Sequence, residues 1–208
     1  MTLLGFGEQV NGYDYKVINE REARASAGLI FLFGISSTFS IVTEESMFWS
    51  ELFTVTFILE FFIRMFISPR YAPYMILASY IVGNQDPEWV EAKPKMFAWY
   101  LGLILAAIMS YYILLEIVSM NRMVVCGLCM ALLFLESAFG ICLGCIVYKK
   151  LNVQLQNCSG GVCKIRQKKA LDIRKILVLI ALAMFFVGVY NYLDQTRYKK
   201  HYEVIIVD

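Results

Sequence analysis

The sequence predicts an all-α, polytopic membrane helix bundle of about five transmembrane helices with one interfacial segment. Two observations carry this. The 208 residues are 59% hydrophobic and only 17% charged, with a mean hydropathy of +0.61, whereas soluble domains carry about a quarter charged residues. The apolar residues also come in long uniform blocks, too long and too continuous for the ten-residue alternation of a membrane β-barrel.

The blocks read in order as follows. The first span is 27–43 (AGLIFLFGISSTFSIVT), after which Glu44 and Glu45 mark a polar turn. The second is 47–67, stopped at Ser68-Pro69-Arg70 because proline cannot continue a helix. The apolar stretch 74–82 is too short to cross about 30 Å of hydrocarbon. It reads instead as a short helix lying in the interface, with Tyr71, Tyr74 and Tyr80 at headgroup level. A third span covers 97–119, a fourth 123–148 and a fifth 176–193. The chain thus divides into an N-terminal segment 1–26, a four-helix membrane domain 27–148, a basic loop 149–175 bearing a cysteine pair, and the segment 176–208 with the fifth helix and a short tail.

The cations set an orientation. With the N-terminus inside, the inner segments hold three (Lys16, Arg21, Arg24), four (Arg64, Arg70, Lys93, Lys95) and eight between Lys149 and Lys175. Four of the nineteen fall outside: Arg122, Arg197, Lys199 and Lys200. The positive-inside rule then places the N-terminus in the cytoplasm and the C-terminal tail outside a bacterial inner membrane. Residues 1–26 mix charge, glycine and asparagine and do not read as a signal peptide. A net charge of +2 without aromatic-interleaved basic stripes argues against nucleic acid. A single histidine, His201, argues against His-based metal sites and Ser-His-Asp chemistry. No P-loop, dinucleotide-binding glycine pattern or nucleophile elbow occurs.

Four stretches bear a resemblance: Val17–Gly28 (VINEREARASAG), Phe62–Pro73 (FIRMFISPRYAP), Lys93–Ala98 (KPKMFA) and Cys142–Tyr148 (CLGCIVY). In this order they resemble the bacterial membrane family catalogued as domain of unknown function 4395, over about residues 14–148. The resemblance implies a four-helix membrane domain with no established activity. It also implies an association with thioredoxin- and rhodanese-type sulfur proteins. The fifth helix and the 158–163 region fall outside it.

The six cysteines form three pairs: Cys126/Cys129, Cys142/Cys145 and Cys158/Cys163. A Cys-x-x-Cys on a helix brings two thiols to one face within reach of a disulfide. Small cysteines also pack between membrane helices without reacting. On a continuous fourth helix, Cys142 and Cys145 lie near the C-terminal end, where the dipole opposes a thiolate, and Lys149 and Lys150 offset it. Cys126, Cys129 and Glu136 then share one face with Cys142 and Cys145 opposite, so exchange between the pairs needs another cofactor or a moving partner. Thiolates of Cys142, Cys145, Cys158 and Cys163 form an alternative zinc or copper(I) set; no other cofactor is indicated.

Charge at membrane depth is the second signal. Glu60 and Arg64 are spaced i, i+4 as an ion pair that orients the bundle. Glu136 lies mid-way along the fourth span, in a proton or packing role, and Glu116 near the outer end of the third. Gly28, Gly34, Gly102, Gly127, Gly140 and Gly144 read as close-approach positions, and Trp49 and Trp99 as interface anchors.

The function these features point to is thiol or sulfur handling by a reversible Cys142/Cys145 dithiol or sulfur acceptor at the cytoplasmic face. The expected partners are membrane lipid and a soluble thioredoxin- or rhodanese-type protein docked on the basic loop, with oligomerisation open. The alternatives are a non-catalytic membrane subunit or scaffold, and a small carrier for a sulfur compound or metal ion.

Overall fold

The computed structural model describes residues 6–44, 47–115, 117, 119–151, 173, 176–181, 183–185, 187–188 and 191–192. It is mostly helical, 77%. Two strands tie the amino-terminal segment to a later loop: β1 (Val17–Asn19) pairs antiparallel with β2 (Trp89–Glu91), Val17 opposite Glu91. This ribbon was not legible in the sequence, because each strand is three residues long. Asn19 then starts helix α1 (Glu20–Glu44). Its side-chain oxygen accepts the Arg21 N–H at 3.2 Å and the Glu88 N–H at 3.1 Å, which satisfies an orphan donor of the first turn. Glu20 and Glu22 complement the positive end of the helix.

Helix α2 (Phe48–Phe62) widens into a π turn, Ile63–Ile67, and ends at Ser68 before a short 3-10 turn, Pro69–Tyr71. The expected stop at the proline therefore holds. The stretch assigned to the interface is helical, α3 (Pro73–Ile81), and it packs along α1. Helix α4 (Ala92–Leu114) packs on α2, and α5 (Met120–Phe134) packs on both α1 and α4. Phe53, Phe57, Phe61, Trp99, Met109 and Leu133 fill the space between these helices. Leu32, Phe39, Tyr111, Met123 and Val124 face outward and exposed. Such an outward apolar surface is what a lipid-facing bundle requires.

Two helices among the described residues are long and apolar enough to cross a bilayer: Ala92–Leu114 and Met120–Phe139. Both were expected. A further apolar helical segment, Ile176–Phe185, falls within the expected fifth span.

The fourth span departs from expectation. The helix does not run through to 148. It widens into a π turn, Leu135–Phe139, and stops at Gly140, whose φ of 67° is left-handed. Only glycine adopts that region without strain from a Cβ. The Gly140 N–H bonds back to the Glu136 carbonyl at 3.1 Å, and Ile141 N–H to that of Leu135 at 3.0 Å. A new helix, α6 (Leu143–Lys150), starts at Cys142 and packs on α4.

Gly144 makes that contact possible. A Cβ there would stand 2.7 Å from the Ala98 backbone. Gly144→Val is therefore expected to push α6 off α4 and cost about 1–3 kcal/mol in overpacking. At Gly127 a Cβ meets nothing within 4 Å, so close approach is not its role. Gly127→Val is the matched control. Thermal unfolding in detergent should separate the two; equal melting would remove Gly144 as a packing determinant.

Candidate functional site

Two ion clusters lie at the end of the bundle where α1 and α4 begin, the first buried and the second partly buried. In the first, Arg64 is 2% and Glu60 0% exposed. The Arg64 Nε donates to Glu60 Oε1 at 2.8 Å and Nη2 to Ser26 Oγ at 3.0 Å. The other Glu60 oxygen accepts the Tyr74 backbone N–H at 2.9 Å. The guanidinium carbon lies 4.8 Å from the Trp99 ring centroid and 5.2 Å from that of Phe61, cation–π contacts that favour arginine over lysine. The expected ion pair is present, and it is the centre of a larger cluster. Trp99, by contrast, is not an interface anchor. It is 2% exposed, because the guanidinium offers its ring a better partner than a headgroup.

In the second cluster, Lys95 donates to Glu136 Oε1 at 2.8 Å and to Glu20 Oε1 at 3.0 Å. Counted above with loop cations, Lys95 is 3% exposed. One cation cannot neutralise two carboxylates. Burial pushes the Glu20 carboxyl above its ordinary value, outweighing the downward pull of Lys95. Arg64 and Glu136 each sit in a π turn, a local widening that re-aims a side chain and recurs at functional sites.

The break at Gly140 changes the chemistry expected of Cys142 and Cys145. They stand at the amino-terminal end of α6, not the carboxy-terminal end of a longer helix. Cys142 is the N-cap residue, and its sulfur accepts the Cys145 N–H at 3.3 Å. Their Cα atoms are 5.2 Å apart and the sulfurs are at disulfide-bonding distance. The helix dipole there favours negative charge on sulfur, the reverse of the expected sign. Arg24, whose guanidinium donates to the Ala138 carbonyl at 3.4 Å, lies over the bend at Gly140.

A cavity of about 320 Å³ adjoins this corner, and Cys129, Glu136 and Cys142 all line it. The expected opposite facing does not hold for Cys129 and Cys142: α6 is not a continuation of α5, and both residues line this cavity. Cys129 is buried and Cys126 half-buried, both free. Cys158, Cys163 and Glu116 lie outside the described residues, and with them half of the expected four-thiolate metal set. Among the described residues no group of three or more His, Cys, Asp or Glu is gathered as a metal site.

The four quoted motifs thus converge. Glu20 and Ser26 come from the first, Arg64 from the second, Lys95 from the third, and Cys142 with Cys145 from the fourth. A family model described as Domain of unknown function (DUF4395) matches residues 18–152. This chain belongs to the DUF4395 family. No curated protein and no solved structure matches it. The DUF4395 region runs from β1 through α6 and holds both ion clusters and the Cys142/Cys145 pair, leaving the C-terminal segment beyond it.

Sequence reasoning missed Glu20, Ser26 and Lys95 as site residues of this DUF4395 chain. Their motifs were visible, but their partners are 75, 38 and 41 positions away, and no spacing rule reaches so far. A lysine at the edge of an apolar helix, with a glutamate inside another apolar run, was the available signal.

Proposed function

We propose that this DUF4395 protein is a multi-pass protein of a bacterial inner membrane that handles thiols or sulfur through Cys142 and Cys145. Five spans, a cytoplasmic N-terminus and an outer C-terminal tail follow from the apolar blocks and the cation distribution. The dithiol then faces the cytoplasm, where a soluble thioredoxin- or rhodanese-type partner docks on the basic loop 149–175. In the exchange, the partner's two thiols release two electrons and two protons and close into a disulfide, while the Cys142–Cys145 disulfide takes them up and opens to two thiols.

One observation carries the reading: the pair opens a helix, with Cys142 as N-cap and its sulfur 3.3 Å from the Cys145 amide nitrogen. Both cysteines are half-buried, accessible enough to react and sheltered enough to be selective.

The test is maleimide-PEG gel shift on intact cells and inverted vesicles, with and without reductant. Cys142 and Cys145 are expected to label only from the cytoplasmic side, only after reduction, and not in Cys142→Ser/Cys145→Ser. If they stay unlabelled until the protein is denatured, whatever the redox state, they are packing residues and the non-catalytic scaffold is the better reading.

A further inference from the structure

We infer that the cavity beside Cys142 binds a membrane quinone, which accepts the electrons of the Cys142/Cys145 dithiol. The inference rests on the dithiol reading and names its co-reactant.

The walls select the occupant. Phe57, Phe61 and Trp99 supply aromatic surface, and Leu101 and Ile104, themselves exposed, carry the cavity to the outer apolar face of α4. A hydrated sulfur anion entering here would lose its water without replacement hydrogen bonds. An apolar molecule reaches the site sideways from lipid. The volume, about 320 Å³, is at the small end for ligand sites and suits a single ring or two fused rings, with a tail left in the bilayer.

Its polar end supplies the reaction. A dithiol closing to a disulfide gives up two electrons and two protons. Quinones are the lipid-soluble class that takes up both, becoming quinols. Cys142 lines the cavity and so meets the ring directly. Glu136 lines it too, and its carboxylate is joined through Lys95 to Glu20 by contacts of 2.8 and 3.0 Å. That chain leads from the cavity to the start of α1 and gives the thiol protons a path. Burial favours the protonated form of Glu20, which suits it to hold one of them. Cys129 opens on the same cavity, so a quinone there is in reach of one thiol of each pair.

The experiment uses the full-length chain in lipid nanodiscs, reduced and freed of reductant. Decylubiquinone is the probe, because its fully substituted ring resists direct thiol addition. Quinol formation is followed by absorbance and thiol loss by maleimide-PEG shift. The expected result is quinol formed in step with closure of Cys142 and Cys145, and none with Cys142→Ser. Leu105→Trp, which fills the cavity at a residue that lines it, is first checked for closure of the pair by diamide, and is expected to form quinol about tenfold more slowly or worse. If diamide closes the pair reversibly while decylubiquinone oxidises no thiol, or serves Leu105→Trp equally well, the quinone inference falls and the dithiol reading stands. If diamide forms no disulfide between Cys142 and Cys145, both fall.

Discussion

Replacing Arg64 by methionine is expected to destabilise the bundle by about 3–5 kcal/mol, the cost of leaving a buried charge without its partner. Glu60, 0% exposed, would keep only the Tyr74 N–H at 2.9 Å. Phe61 and Trp99 would lose the cation that lies against both rings. Adding Glu60→Gln should recover most of the loss, because the double variant buries no unpaired charge. Arg64→Lys should recover little: an ammonium cannot donate in a fork to Glu60 and Ser26 while stacking on Trp99. Melting followed by Trp fluorescence in detergent checks all three. An Arg64→Met chain that melts with the parent would show that the cluster contributes no net stability.

Replacing Lys95 by methionine should cost a similar amount at neutral pH, about 3–5 kcal/mol, and here the loss depends on pH. Glu20 and Glu136 would face each other without the cation that both now contact. In the parent chain burial already raises the Glu20 carboxyl while Lys95 pulls it down, so removing Lys95 raises it further. Between the unfolded value, near 4.5, and the raised folded value, the folded state binds more protons. Stability therefore rises as pH falls through that window and is lost as pH climbs out of it. Lys95→Met melting should approach the parent's as pH falls toward the unfolded value near 4.5 and diverge from it as pH rises. A pH-independent deficit would mean that lost packing of the lysine stem, not carboxylate repulsion, is responsible. Lys95→Met/Glu20→Gln, with one carboxylate removed, should show a shallower dependence.

These clusters also mark how far the sequence could be read. Glu60 and Arg64 are one turn apart on one helix, so spacing alone pairs them, and the pair is there. Glu136 was singled out because a carboxylate in an apolar run is costly, a property of one residue in its own segment. Its partner Lys95 lies 41 positions away and reads as a loop cation. Trp99 reads as an interface anchor from its place near a predicted helix end. Its ring is instead taken by Arg64, from another helix. The end of the fourth helix was misplaced because the residues around Gly140 are apolar on both sides, and glycine in such a run reads as a packing position. Its left-handed φ and the approach of Arg24 show that it is a stop.

By itself the sequence determined what is local and additive: helical segments with an apolar outer surface, family membership through four ordered motifs, the i, i+4 ion pair and the thiol spacing. Hydrophobic block length, helical periodicity and short motifs depend on neighbours a few residues away, so they survive without a fold. The tertiary structure alone decided which carboxylates share Lys95, where α5 ends and α6 begins, and hence which end of a helix dipole meets Cys142 and Cys145. Those outcomes depend on charges and backbones far apart in the chain, brought together only when burial forces each ion to find a partner.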